Sequence, residues 1–399
     1  MKLLSLATNS SASAGYVSIL TLPVVAALLL LLLGSATQQH RLQRQWHLQS
    51  AADAMALSAA TIMAREFNLL AIVNRAIIAN QVTRGQLLGL SSWYSNLATA
   101  ALRLAVVSSV IPYVNVLTRY LATIMQRIEQ PLRAIIQAAL VMQQVVETVL
   151  HTAQWMIRSS FAMLIPKTLT ELAQRQQVAE QSWEIFHSPG LIEFPWLWWR
   201  VVTPQLGVQD ESLLADMVIA SRDPFSQSRS YRWLDGGLVR IQKTGGSELQ
   251  VEQYGRWGWQ ALDTVAVHIN LLFTRQEIPW GYGAAYQTTA INRMTNDAFG
   301  RSRRSNPRTT RGAVANQHNY GVALNPQYFN QRELLPTEWP AVIVKFDRVV
   351  AKAGLRFSRP PQMPRRDGRI ERANLFNPLW EPELQALTTA DKLVLERFL

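Results

Sequence analysis

Residues 16–34, YVSILTLPVVAALLLLLLG, contain no charged side chain, and residues 38–60, QQHRLQRQWHLQSAADAMALSAA, follow with neither Gly nor Pro. A helix of about 20 apolar residues crosses a bilayer's hydrocarbon core. Irregular backbone cannot do so, because lipid offers its peptide groups no hydrogen-bond partner. Pro23 lies near the start of the run, where a kink is tolerated. The second stretch is polar enough to leave a membrane, so one helix is expected to pass from bilayer into water. Two other readings compete. In a cleaved signal peptide, Lys2 would supply the basic n-region and Gly34-Ser35-Ala36 the cleavage site, but the run exceeds the roughly 7–15 residues of a signal's apolar core. In a buried soluble helix, Leu28–Leu33 would leave no polar face. The expected organisation is a tail over 1–15, a transmembrane helix over 16–34 and a helical stalk over 35–84. Lys2 precedes the span and Arg41 and Arg44 follow it, so charge does not set the orientation. The short tail and long remainder suit a C-terminus outside the cytoplasm.

The stalk carries a face of small residues. Ala52, Ala56 and Ala60 stand four apart, a spacing that lets another helix approach closely. Asp53 borders that face. Its neighbours at three and four residues are Gln49, Ser50, Ala56 and Leu57, so no cation on the same helix can pair with it. Asp53 is either a solvated acid or the partner of an arginine or helix N-terminus from another segment or subunit.

Residues 48–60, LQSAADAMALSAA, resemble the helix behind the membrane span of Tad/Flp pilus-assembly proteins of the TadG-like type, with its Q-x-A-A-D-A-x-A-L-x-A-A run. Near the other end, Asn374-Leu375-Phe376-Asn377-Pro378-Leu379-Trp380 with Leu384 is similar to the N-x-F-N-P-x-W-x-x-x-L tail of some Tad-associated envelope proteins. The chain departs from the family in three places. Lys2 alone stands for the basic cluster before the span, the acid just past the span is missing, and Leu20 stands where processed pilins carry Glu. The resemblance therefore implies an accessory protein rather than the shaft subunit. It implies a single-pass anchor in the bacterial inner membrane and a periplasmic C-terminal part that acts by protein contacts. Membrane lipid and other Tad/Flp pilus or secretion subunits are the implied partners, in a homo- or hetero-oligomer. No cofactor and no nucleic acid are expected.

Composition narrows the classes. The chain has 399 residues and 48% hydrophobic content, ample for a core, while its 17% charged residues fall below the roughly 25% usual for soluble domains. The absence of cysteine excludes thiolate zinc sites, iron–sulfur clusters, thiol catalysis and disulfides. Net charge is +12. One concentration is Arg301, Arg303, Arg304, Arg308 and Arg311, with no acid among them; another runs from Arg356 to Arg372 and includes Arg359, Arg365, Arg366 and Arg369. Such clusters either touch anionic surfaces, meaning lipid headgroups, envelope polymers or nucleic acid, or are solvated basic loops.

Gly85 and Gly89 mark an expected break in the stalk. A helical region over 85–187 follows, read as antiparallel helices with Pro112, Pro131 and Pro166 as punctuation. Arg103, Arg119, Arg127, Arg133 and Glu147 argue against further spans within it. Ser188-Pro189-Gly190 opens a junction over 188–230, where Trp196, Trp198 and Trp199 beside Arg200 suit either a membrane–water interface or a hydrophobic seal. From Tyr231 the apolar period becomes two. Gly236-Gly237 and Gly245-Gly246 supply turns, the second a hairpin, and Val342–Phe346 adds a strand to the same sheet. Gly281-Tyr282-Gly283 reads as flexible backbone, and residues 300–312 as a mobile basic loop within a C-terminal domain over 231–399. The fold class is α+β: a transmembrane helix continuing as a stalk, a helical region, then a mostly antiparallel β-containing domain.

Catalytic motifs are missing. There is no phosphate loop, no H-E-x-x-H and no G-x-S-x-G. The six histidines are scattered, and His268 alternates within an apolar strand. The chain reads as a structural protein rather than an enzyme. The alternatives are a secreted or anchored module for anionic envelope polymer or nucleic acid, and an envelope hydrolase with a triad assembled from distant positions.

Overall fold

A single helix, α1 (Ala14–Val107), runs unbroken for 94 residues, about 140 Å at ~1.5 Å per residue. The computed structural model describes residues 14–180, 182–188, 192–193, 202–205, 211–251, 256–271, 274–287, 297–321, 326–331, 340–346, 349–359 and 373–397. The break expected at Gly85 and Gly89 does not occur. A glycine costs a helix about 1 kcal/mol against alanine, and here the missing side chain makes room for a sheet. A Cβ at Gly85 would lie 2.7 Å from the Trp259 ring, and one at Gly89 would lie 2.7 Å from Ser247 Oγ.

The chain reverses through a single 3-10 turn at Ser108–Val110, with Tyr113 at φ 65°. It returns as α2 (Val114–Arg175), antiparallel to α1. Tyr94 meets Met125, Gln81 meets Glu147 and Glu66 meets Arg158, so partners fall along one helix as they rise along the other. Pro131 and Pro166 lie inside α2 and do not end it. Helix gives way to strand at β1 (Trp183–Ser188), before the expected limit at 187.

Two five-stranded sheets hang on this helical pair. The first combines β1 and β2 (Ile192–Glu193) with β10 (Ala341–Phe346), β11 (Val349–Phe357) and β12 (Trp380–Leu384), in the order β12-β11-β10-β1-β2, all antiparallel. The boundary expected at 188 therefore falls within a sheet, since His187 of β1 pairs with Ile192 of β2; Pro189 and Gly190 lie outside the described residues. The second sheet is β4 (Tyr231–Gly236), β5 (Val239–Val251), β6 (Trp257–Leu271), β7 (Thr274–Tyr286) and β8 (His318–Asn319), in sequence order. Its neighbours are antiparallel except for the parallel β7–β8 pair. Val342–Phe346 thus belongs to a different sheet from residues 231–286. Gly237, at φ 65°, turns β4 into β5, whereas Gly245-Gly246 lies inside β5 and makes no hairpin. A two-stranded pair joins β3 (Val202–Gln205) to β9 (Tyr328–Gln331). The shorter helices are α3 (Glu211–Ala220), α4 (Pro224–Gln227), α5 (Asp297–Ser305), α6 (Pro307–Ala315) and α7 (Thr389–Arg397).

The spine helix α1 serves both sheets. Its middle stretch, including Met55, Met63, Phe67 and Leu70, shares one core with Val342 and Val344 of β10 and with Ile165 and Leu169 of α2. Further along, Ile77, Val82 and Leu88 share a second core with Trp259 and Ala285. The far face of the second sheet, through Leu262 and Ala284, is closed by Phe299 of α5 and Ala313 of α6. Before all of this, the Leu28–Leu33 run of α1 stands 54–70% exposed. Both α1 and α2 are long and apolar enough to cross a membrane. The long helical region followed by antiparallel sheets is an α+β fold.

Candidate functional site

The alanine face of α1 is covered by the chain's own sheet. Ala52, Ala56 and Ala60 are fully buried in the core that holds Ala351 and Ala353 of β11 and Ala173 of α2. The close approach that small residues permit is used by the sheet and α2, not left open for a foreign helix. Asp53, at the edge of this face, is half-buried and accepts from Gln49 Nε2 at 2.9 Å.

Beyond the alanines, α1 carries a ladder of amides that hold distant backbone. Asn68 donates to the Trp380 carbonyl at 2.9 Å and accepts from the Trp380 N–H at 3.0 Å. Asn74 Nδ2 donates to the carbonyls of Phe329 and Leu375, each at 2.7 Å, and Gln154 donates to Asn74 Oδ1 at 2.6 Å. These bonds fix the 374–380 motif against the spine. Asn374 Oδ1 accepts from the N–H groups of Phe376 and Asn377, and the Trp380 indole donates to the Asn374 carbonyl at 3.0 Å. The Trp380 ring meets Phe67 edge-on at 5.1 Å. The motif's residue types are therefore explained by structure, with a capping amide, buried apolar side chains and an indole that locks the turn.

Charge is buried on both sides of the spine. Glu66 of α1 and Arg158 of α2 pair at 2.5 Å with almost no exposure. Burial pushes the Glu66 carboxyl up to about 7, against the attraction of Arg158. Arg84 and Glu147 pair at 2.8 Å between the same helices. Burial raises the Glu147 carboxyl despite Arg84, and lowers the Arg84 guanidinium despite Glu147. Between α1 and the second sheet, Asp263 meets Arg229 at 2.8 Å, the Lys243 ammonium, and Ser92 Oγ at 2.5 Å. Burial alone would raise the Asp263 carboxyl, but Arg229 and Lys243 together hold it below its ordinary range. Gly245 leaves the space this carboxylate fills, since its Cβ would strike Asp263. Gly281 and Gly283 likewise face the α1 backbone at Asn96 and Ser92, which makes them packing residues rather than flexible backbone.

The arginine cluster is not a loop. Residues 297–315 form α5 and α6, hinged at buried Asn306. Asn306 Nδ2 donates to the Gln242 carbonyl at 3.1 Å, and its Oδ1 lies 2.9 Å from His268 Nε2. Ser302, Thr264 and Thr310 join in a buried hydroxyl chain. Glu277 caps α6 by accepting from the N–H groups of Arg308 and Thr309 at 2.8 Å. Arg301, Arg304, Arg308 and Arg311 are exposed and Arg303 is half-buried. The small polar residues between the arginines face the sheet while most of the guanidinium groups face outward. The Trp196–Arg200 segment and Arg365, Arg366, Arg369 and Arg372 lie outside the described residues.

Sequence reasoning missed the buried charges, although their signal was present. Asp263 interrupts an apolar strand, and Glu66 and Arg158 interrupt apolar helical faces. Comparison with protein-family models, with curated proteins and with solved structures finds no match.

Proposed function

We propose that this chain is a membrane-anchored structural protein of a Tad/Flp-type pilus or secretion machine. Residues 16–34 hold it in the bacterial inner membrane as a single pass, and its folded body acts by protein contacts in the periplasm. The continuity of α1 supports this reading most. One helix carries the exposed apolar run and then, without a joint, becomes the core element of both sheets. A rigid connection of this kind fixes the body at a set height and angle to the bilayer. The buried amides and ion pairs tie distant segments to that spine, which supports reading the chain as a protein that acts by binding. The test is fractionation with N-terminal sequencing of membrane-extracted protein, together with protease accessibility from the periplasmic side. Intact residues 1–35 and a protease-accessible body are expected. A soluble protein starting near Thr37 would overturn the anchor, and loss of this chain with no effect on pilus assembly would overturn the role.

A second reading rests on the exposed guanidinium groups of Arg301, Arg304, Arg308 and Arg311. In this reading they contact an anionic envelope polymer. Binding to such a polymer would weaken steeply with added salt, and salt-insensitive or absent binding would remove it.

A further inference from the structure

Every seventh residue of α2, from Val114 through Ile128, Ile135, Met142 and Val149 to Met163, is large, apolar and exposed. The opposite face of α2 is already occupied, since Ile136, Leu140, Ile165 and Leu169 pack in the cores shared with α1. Exposure along the row climbs from 44% at Val114 to 77% at Met163. The cause is geometric: seven residues fall about 20° short of two full turns, so the row winds from the flank of α1 onto the outer face of α2. Leu117 and Val145, three residues beyond row members, are also exposed and widen the strip.

We propose that two copies of this chain pair through this row, α2 against α2, as a left-handed parallel helix pair. Knobs-into-holes packing of two helices uses two apolar positions in each heptad; the row supplies one over its whole length, and Leu117, Ile124, Ala138 and Val145, three residues further on, supply the second over its N-terminal part. A second copy supplies that period over the same length. The row spans roughly 74 Å at 1.5 Å per residue, more than twice the ~30 Å of a bilayer's hydrocarbon core. The C-terminal end of α2, through Ile165, Leu169 and Ala173, packs beside the Ala51–Ala60 stretch of α1; with residues 16–34 in the bilayer, this places the row beyond the hydrocarbon core. The row's exposed side chains offer an area comparable to the ~800 Å² per partner of a standard stable interface. The flanking positions four and six residues after each row member hold only two charges, Arg127 and Lys167. In a parallel in-register pair these face Leu132 and Ala162 of the other copy, so no like charges oppose each other. The parallel sense rests on the anchor reading, because two copies leaving one membrane point the same way. The pairing itself does not.

The chain has no cysteine of its own, so single cysteines report cleanly in the full-length protein in detergent or nanodiscs. Met142→Cys and Val149→Cys are expected to form disulfide-linked dimers roughly 10-fold faster than Gln144→Cys, because a disulfide needs Cβ atoms within about 4.5 Å. Wild-type protein should sediment at the mass of two chains. Ile135→Glu combined with Met142→Glu should weaken self-association roughly 100-fold or more, by burying unpaired charge at the centre of the interface. Monomer mass for the wild type would overturn the proposal, and so would equal cross-linking at Gln144→Cys. Quenching of a fluorophore on the Met142→Cys variant by lipid-borne quencher would put lipid on the row instead of a second copy. Dimers persisting in protein that lacks residues 1–35 would show that the pairing stands independently of the anchor, whose own failure would appear instead as a soluble full-length chain.

Discussion

The side-chain amide of Asn68 clasps both backbone polar groups of Trp380, donating to the carbonyl at 2.9 Å and accepting from the N–H at 3.0 Å. The two residues are 312 apart in sequence. An amide serving the N–H and C=O of one residue is a substitute strand neighbour, and it joins β12 to the spine helix. Asn68→Ala removes two bonds and leaves the edge of β12 without that partner, at an expected cost of about 2 kcal/mol. Urea unfolding of the purified chain measures it. A change below about 0.5 kcal/mol would show that water replaces the amide at no loss.

The buried Glu66 carboxyl predicts a pH dependence. Its folded pKa is about 7, against 4.5 ordinarily. A group with a raised folded pKa contributes stability that is fully present below about 4.5 and is lost as pH rises through about 7. A shift of this size corresponds to roughly 3 kcal/mol. Glu147 is shifted in the same direction, so the informative quantity is the difference between wild type and Glu66→Gln. Between pH 4.5 and 7 the wild type should lose stability faster than the variant. Parallel pH profiles would mean that Arg158 keeps Glu66 ionised throughout.

The helix pair α5–α6 predicts a division of labour between neighbouring residues. Asn306 is buried and bonded to β5 and to His268 of β6. Asn306→Ala would strand those partners at an expected cost of about 2–3 kcal/mol. Changing Arg301, Arg304, Arg308 and Arg311 together to Gln touches exposed side chains and should shift stability by no more than about 1 kcal/mol. If the arginine variant unfolds as readily as Asn306→Ala, the guanidinium groups hold the sheet and are not a free basic face.

Much of the helical architecture was legible in the sequence, because long runs without Gly or Pro and with apolar residues at helical spacing admit few alternatives. The errors share a cause. Gly85, Gly89, Gly245 and Gly283 read locally as breaks, turns or flexible backbone, since a missing side chain looks the same whether it loosens the chain or admits a neighbour. Here Trp259, Ser247, Asp263 and the Ser92 backbone fill those spaces. The 300–312 segment read as mobile because its arginines dominate the composition, while Ser302, Asn306, Thr309 and Thr310, which carry the packing, are individually ordinary polar residues. The two sheets could not be separated because β1 and β10, which pair, lie far apart in the chain with the second sheet between them.

The glycine reading has its own test. A Cβ at Gly283 would collide with the backbone of Ser92 and Asn96, and backbone of a long packed helix cannot move aside. Gly283→Ala should cost more than about 3 kcal/mol or displace β7, above the usual 1–3 kcal/mol of overpacking. Gly236→Ala, whose Cβ would meet the Val239 carbonyl at an ordinary 3.5 Å, is the control and should leave the melting temperature nearly unchanged. Equal effects at both positions would refute the close approach of β7 to α1.

The last prediction separates packing from assembly on the alanine face. Ala56 is fully buried in the core beneath the first sheet. Ala56→Leu adds three methylene-sized groups to a filled space and should destabilise the isolated chain by about 1–3 kcal/mol or more. Asp53 is half-buried and bonded to Gln49 on its own helix, so Asp53→Ala should cost about 0.5–1 kcal/mol, one hydrogen bond's worth. If the face instead awaited a foreign helix, Ala56→Leu would leave the isolated chain intact and fail only when partners are present. Urea unfolding of the purified variants, beside their recovery with pilus or secretion subunits from membranes, distinguishes the two. A stable Ala56→Leu chain that loses its partners would show that the first sheet leaves this face open. An unstable one would place the alanines in the fold, where Ala351 and Ala353 of β11 already meet them.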